Sequence, residues 1–445
     1  MEAGAVVLAE SPICWWVDPA CQDFVCAHCL ETFDAAAPGI PARCSSCRQV
    51  RWCSARCHAE DCHHSIVCSM LNSANSLGDS EEDADATSLV HFVAHAVRLQ
   101  RTSPAEFDQL WSIMLGTHVT LSEADETVCR RVAAVLQGTS RHDDPYLHLS
   151  LIRELCKKDK TANFAVMLPP KKDSSAAELE GLLERRARGY ATYPYMSLVN
   201  HSCLPTVARF DHFDRARNTE LTSAAARDAA PKRVCVGSLA SASDADLLRP
   251  PHSISMRLVA MHGLPARSEL FLTYMPPADE PHIRRERLRS EYGFTCHCHR
   301  CVVEFAAEDE ANEATSPNES VHPASLASAE QAGVSTTYIG LYLLKHVCPD
   351  CGGTLAPILQ VARIAYFIHV AMCSCTLLSH STICLRPTFH VAGFFINLKA
   401  CSRSCVEHLL SYMCSQSTSC ICNRCGGQQT DAEFMERAEV FFAES

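Results

Sequence analysis

Positive charge is in short supply. The 445 residues carry 39 Lys and Arg against 51 Asp and Glu, a formal net charge of −12. A surface of that sign repels nucleic-acid phosphate, so any DNA contact would have to be local. No basic import cluster stands out, which leaves nucleus and cytoplasm both open. The N-terminus lacks a basic flank followed by an apolar run, so the sequence predicts no secretory leader. Long apolar runs are missing too. The one candidate, 358–378, is interrupted by Arg363 and His369 and is read as non-spanning. Without export, 28 cysteines point away from disulfides and towards thiolates on metal in a reducing compartment. The hydrophobic fraction of 47% and aromatic fraction of 7% suit an ordinary globular protein. The length suits roughly two to four domains with real cores.

The cysteines fall in clusters at metal-ligand spacing. Cys26 and Cys29, Cys44 and Cys47, Cys53 and Cys57, and His64 and Cys68 form four successive pairs. Eight ligands make two tetrahedral zinc sites. A C-x2-C turn lets two thiolates meet one ion, and a three-residue gap puts both ligands on one face of a short helix. A segment this short holds too few apolar residues to fold alone, so metal supplies much of its stability. The run Arg51-Trp52-Cys53-Ser54, with Cys57 after it, resembles the second knuckle of the MYND finger. That resemblance implies interleaved pairs: Cys26, Cys29, Cys53 and Cys57 on one ion, and Cys44, Cys47, His64 and Cys68 on the other. Asp61-Cys62 stand near the place of the family's usual Trp, and the gap before His64 is one residue short. Cys62 or His63 therefore remain candidates in place of His64. Arg43, Arg48, Arg51 and Arg56 make a basic face, either merely solvated or docking a peptide partner.

A second signal is Tyr193-Pro194, then Met196-Ser197-Leu198-Val199-Asn200-His201-Ser202-Cys203, then Pro205. Downstream, Met256 to Ala260 alternates as a strand does. Glu269-Leu270-Phe271-Leu272-Thr273-Tyr274 comes next, and a charged helix from Ile283 to Tyr292 follows. Phe294, Cys296, Cys298 and Cys301 close the series. Together these are similar to the SET core and post-SET segment of the SET-and-MYND lysine methyltransferases, over roughly residues 5–302. The resemblance implies that Cys203 completes a zinc site with Cys296, Cys298 and Cys301. It also implies that Tyr274 is the catalytic tyrosine, and that Asn163, Asn200, His201, Tyr274 and Phe294 bind S-adenosylmethionine. Asn200 and His201, polar residues in an apolar strand, are expected to find buried partners.

Three departures accompany the resemblance. The family's Gly-rich cofactor loop has no counterpart before Gly4-Ala5-Val6-Val7-Leu8: the start is misplaced, or part of the cofactor site is lost. Thr206 stands where the family has Asn. The turn Ala266-Arg267-Ser268-Glu269 lacks the usual Gly, which predicts a turn without positive φ.

Elsewhere, 78–86 reads as an acidic loop. Helical spacing runs from Ser88 to Leu136, broken at Pro104 and near Gly116, and again from Tyr146 to Cys156 and from Ala176 to Arg188. Residues 211–252 read as a surface insertion and 304–334 as a flexible linker. Cys348 and Cys351, then Cys422 and Cys425, look like two halves of a zinc ribbon. Residues 358–419, with a single Glu and no Asp, separate them. That stretch reads as a translated non-coding insert such as a retained intron, the alternative being a genuine apolar or metal-binding insert; sequencing the mature transcript decides. Asp431 to Ala443 is a clean helix.

The expected fold is α+β, a SET-domain β-fold interrupted by a MYND finger and a helical insert. The expected units are 1–25 (N-terminal SET segment), 26–68 (finger), 69–160 (helical insert), 161–280 (SET core), 281–303 (post-SET), 304–334 (linker) and 335–445 (Cys-rich tail). The leading expectation is methyl transfer from S-adenosylmethionine to a lysine of a histone or other protein, with zinc as structural metal. No membrane contact or direct nucleic-acid binding is expected. The rivals are a catalytically silent adaptor that binds partners through the finger, and a zinc-dependent transcription cofactor.

Overall fold

Sheets and helices build outward from strand pairs far apart in sequence. The computed structural model describes residues 1–61, 63–78, 80–113, 119–139, 147–168, 186–211, 254–311, 334–350, 352–357, 419–423 and 427–444. Strands β1 (Val6–Glu10) and β2 (Cys14–Val17) open the chain. The cysteine-rich segment follows, with helices α1 (Ala55–Glu60) and α2 (His64–Ser73). Next come α3 (Glu81–Thr102), α4 (Pro104–Ser112), α5 (Glu123–Thr139) and α6 (Leu149–Ala162). The strands resume as β3 (Asn163–Met167), β4 (Ala187–Thr192), β5 (Asn200–His201), β6 (Val207–Asp211), β7 (Met256–Ala260) and β8 (Phe271–Leu272). Helices α7 (Pro281–Tyr292), α8 (His299–Ala311) and α9 (Thr336–His346) follow. The chain closes with β9 (Leu355–Pro357), β10 (Ser419–Cys422), β11 (Gln428–Thr430) and α10 (Asp431–Glu444).

Four small sheets result, in the orders β1-β7-β6, β2-β4-β3, β5-β8 and β11-β10-β9. All pairs are antiparallel except β5 with β8. The architecture is mixed, helices and small sheets together, with clusters of cysteines between them. The finger departs after β2, and the strands resume at β3, so β2 and β4 meet across the whole helical insert. Gly189 permits that meeting: a Cβ there would lie 2.4 Å from the carbonyl oxygen of Trp16.

Helix α3 is the hub of the insert. Leu89, Val90, Phe92, Val93, Ala96, Val97 and Leu99 are all buried, so it is covered on most of its circumference. Trp16 of β2 docks on it, stacking on Phe92 at 5.0 Å and donating its indole N–H to the Ser88 hydroxyl at 2.9 Å.

Several expectations need correction. The acidic stretch 78–86 is not all loop: α3 starts at Glu81, with Ser80 and Asp83 forming a reciprocal capping box. Acidic residues gathered at a helix N-terminus meet its positive dipole end, which is why they favour a helix here. Ala187 and Arg188, expected at a helix end, lie in β4; pairing with β2 and β3 overrides local propensity. The segment 304–311 continues α8 rather than starting a linker. Arg267 has φ 67°, so the turn keeps positive φ without glycine, at a cost of about 1 kcal/mol. Helix α9 has no counterpart in the expectations. The expected helix within 176–185, the insertion 212–252, linker residues 312–333 and the anomalous insert 358–418 lie outside the described residues. No helix among the described residues is long and apolar enough to cross a membrane.

Candidate active site and metal centres

Three sulfur-rich clusters stand out, each with ligand atoms within 4.8 Å of one another. Cys26, Cys29, Cys53 and Cys57 form the first, and Cys44, Cys47, His64 and Cys68 the second. The pairs interleave as the finger resemblance implied. Neighbouring ligand atoms are 3.7 Å apart for Cys29 and Cys53, 3.5 Å for Cys53 and Cys57, and 3.8 Å for Cys44 and Cys68. Tetrahedral zinc with Zn–S bonds near 2.3 Å requires sulfurs about 3.8 Å apart. The donor sets therefore fit zinc. His64 is the histidine of the second cluster, its Nε2 3.3 Å from the Cys44 sulfur. His63 faces Trp15 instead, and Cys62 lies outside the described residues. The local fold explains the choice. Ser54 caps α1 by accepting from the Cys57 N–H, and α2 carries His64 and Cys68 one turn apart.

The third cluster joins Cys203 to Cys296, Cys298 and Cys301. Cys203 and Cys301 are both buried, with sulfurs 3.5 Å apart. S–H donation from Cys296, Cys298 and Cys301 pulls the Cys203 thiol well below its ordinary range. Four cysteine sulfurs gathered this closely form a donor set that fits tetrahedral zinc. Arg300 braces the cluster: its guanidinium donates to the Cys203 carbonyl at 3.3 Å and to the Pro277 carbonyl at 2.7 Å, and pairs with Glu304 at 2.8 Å.

The cluster draws a cleft together around β5. His201 accepts the Tyr274 backbone N–H at its Nδ1, 3.1 Å away, and its Nε2 lies 3.3 Å from the Cys203 sulfur. The Tyr274 hydroxyl donates to the Val199 carbonyl at 2.8 Å, immediately before Asn200. Burial, then the neighbouring Tyr292, pushes the Tyr274 phenol up to about 12, so it stays protonated at neutral pH. Phe294 lies 6.1 Å from the His201 ring and meets the Tyr274 ring edge-on at 6.5 Å. Gly293 ends α7 in the left-handed conformation, φ 75°, and this reversal presents Phe294 to the cleft.

Asn200 corrects an expectation. It is exposed, and its amide donates to the Glu269 carboxylate at 2.9 Å. With β5 only two residues long, its side chain reaches the cleft edge and not a core. Asn163 is engaged at both ends: its amide N–H donates to Asp159 at 2.7 Å, and its carbonyl accepts the Thr192 hydroxyl. The Ser197 hydroxyl donates to the Ala162 carbonyl at 2.7 Å, tying the turn before Asn200 to the start of β3. Thr206 closes the β6–β8 corner, its hydroxyl accepting the Phe271 N–H at 2.9 Å.

Sequence reasoning missed four groups at this cleft. Tyr292 packs its ring 4.9 Å from Tyr274; its place just before Gly293-Phe294 was the available signal. Glu10 accepts the N–H groups of Tyr195 and Met196 at 3.0 and 2.9 Å, fixing the turn that leads into Asn200. Glu269 and Asp159 carry no spacing that singles them out. Of the expected ribbon ligands, Cys348 and Cys422 are buried, and Cys351 and Cys425 lie outside the described residues.

Comparison with known proteins gives a consistent set of relatives. The chain is similar to histone-lysine N-methyltransferase ASHR2 of Arabidopsis thaliana, 27% identical over 70% of this chain and 71% of the relative. It is also similar to histone-lysine N-methyltransferase SMYD3 of Mus musculus, at 24%, and of Homo sapiens, at 22%, each over 68% of this chain and 58% of the relative. No family model matches the chain.

Proposed function

From the premise that this chain is a relative of the SET-and-MYND histone-lysine methyltransferases, we propose that it is a protein-lysine N-methyltransferase using S-adenosylmethionine. The observation that carries this reading is the Cys203 cluster, which holds His201 and Phe294 against Tyr274. The chain spans 58% of the length of its SMYD3 relatives, so substrate and partners belong to the same proposal.

The residues at the cleft fit the methyl donor. Phe294, Tyr274 and Tyr292 offer half-buried aromatic surface, and Asn200 offers an exposed amide. The donor would be held by Asn200, His201 and Phe294, with Asn163 acting through its own hydrogen-bonded network. When bound, it supplies an electrophilic methyl group. The protein's part is to align an amine in line with that group, a positioning task, and to keep the amine neutral. Free lysine ionises near ~10.4, and an aromatic, partly dehydrated wall disfavours its ammonium form. The Tyr274 hydroxyl spends its one proton on the Val199 carbonyl. Its oxygen is left with lone pairs only, suited to accept from the substrate amine or from the polarised methyl hydrogens.

A histone tail or another lysine-bearing protein is the substrate class, which implies a nuclear or cytoplasmic setting. The basic finger face is the candidate peptide-docking surface. The relatives, each named for methyl transfer, do not favour the silent adaptor.

The test uses the zinc-loaded full chain with labelled S-adenosylmethionine and core histones, read by label transfer and mass spectrometry. Tyr274→Phe is expected to lower turnover by about 10²-fold or more, with zinc content unchanged. Unaltered turnover in that variant would remove Tyr274 from the chemistry. No heat of S-adenosylmethionine binding to the parent chain at millimolar concentration would sink the enzymatic reading.

A further inference from the structure

We propose that Arg284 and Arg300 are positioning residues of the Cys203 cluster: two buried guanidiniums whose charge holds its thiolates on zinc and ties them to the loop after Tyr274. The inference goes beyond methyl transfer and rests on the zinc reading of Cys203, Cys296, Cys298 and Cys301. Arg284 stands on α7 and Arg300 on α8, and their side chains are only 1% and 3% exposed. Leu288, one turn beyond Arg284 on α7, packs in the same buried group as Cys203, Cys296 and Cys301. Residues four apart share a helix face, so Arg284 lies on the side of α7 that meets the sulfurs. Arg300 immediately precedes Cys301, and it donates to the Cys203 carbonyl at 3.3 Å.

Both guanidiniums pair with the same carboxylate, Glu304, which stands one turn after Arg300 on α8. A single carboxylate offsets one of two positive charges. Surplus charge in a site this dry is costly unless a further anion answers it. Four thiolates on one zinc carry a net double negative charge, and they are the anionic group at hand. Burial opposes the Arg284 charge, but the Cys203 thiolate and then Glu304 outweigh it and raise the guanidinium above its ordinary range. The Arg284 Nε is buried with no hydrogen-bond partner among the described residues, so the field of nearby anions sustains it in place of an acceptor. The other donors fix a loop. Arg284 donates to the Asp279 carbonyl, and Arg300 donates to the Pro277 carbonyl at 2.7 Å. Residues 275–280 run from Tyr274 into α7. The same two side chains therefore answer the charge of the cluster and hold the segment that continues from Tyr274.

Alkylation of the zinc-loaded full chain with N-ethylmaleimide in graded EDTA, read by mass mapping, tests this. The finger cysteines serve as the internal reference. Arg284→Met is expected to expose Cys203, Cys296, Cys298 and Cys301 at about 10- to 100-fold lower chelator, the usual effect of removing a group that supports a metal ligand. The finger cysteines should respond as in the parent. Exposure of the Cys203 cluster at the parent's chelator concentration would overturn the proposal. Glu304→Gln separates charge from bracing. It keeps an oxygen for the guanidiniums and removes the carboxylate that competes with the thiolates for them. Its cluster should be exposed at a chelator concentration no lower than the parent's. A purely structural brace would loosen instead, and exposure at lower chelator would overturn the proposal. That variant decides alone if Arg284→Met does not fold. Alkylation of all four cysteines in the untreated parent would remove the zinc reading itself, and the proposal with it.

Discussion

Asp159 shows how one side chain can carry a pH dependence that its sequence context does not announce. It sits on α6 with Asn163 at 2.7 Å and Lys160 beside it. Desolvation raises its carboxyl from 3.8 to about 6, against the lowering pull of the Asn163 amide and Lys160. A carboxyl whose folded value lies above its unfolded value favours the fold when protonated. That contribution is fully present below about 4 and is lost as pH rises through about 6. Asp159→Asn keeps an acceptor for the Asn163 amide and removes the titration. Its stability relative to the parent, from urea midpoints, should improve between pH 5 and pH 7.5. A constant difference across that interval would show that Asp159 is not the titrating group. The same network makes Asn163 a held residue, so loss of the Asp159 or Thr192 contact would free its amide.

At the scale of elements, the finger and the strands are coupled by a buried guanidinium. Arg188 of β4 is buried, and it donates to the Leu30 carbonyl at 2.8 Å and the Met167 carbonyl at 3.1 Å. Leu30 is the left-handed residue of the first zinc knuckle, so the guanidinium grips the finger at its most constrained point. Arg188→Met keeps the bulk and leaves two buried carbonyls short of a donor, at about 1–3 kcal/mol each when no water replaces it. The expected loss in urea-measured stability is about 2–6 kcal/mol on that basis, with the finger's metal retained. A change under about 0.5 kcal/mol, the size of an ordinary surface substitution, would show that water takes over the role. Helices α9 and α10 show a second form of coupling: a Cβ on Gly340 would meet the Phe441 ring at 2.5 Å, so the final helix docks only because that position is bare.

For the molecule as a whole, the sulfur clusters join segments that are distant in sequence. The Cys203 cluster closes the segment between β5 and α8 and shapes the cleft wall at the same time. Cys203→Ser should therefore hold one zinc fewer than the parent and become more sensitive to proteolysis around Phe294, while the finger clusters keep their metal. Full metal content in that variant would break the pairing of Cys203 with the downstream cysteines.

The grouping of the cysteines was written in their spacing, because metal coordination demands specific atoms at short, fixed separations. The helical insert was legible for the same kind of reason, since amphipathic periodicity is local. What only the tertiary structure decided depends on residues brought together from far apart. His64 joins the cluster over His63 because α2 turns it inward. Asn200 sits at an edge because β5 is two residues long. Asp159, Glu10, Glu269 and Tyr292 reach the cleft through strand pairing and helix packing, and no spacing along the chain records where those contacts end.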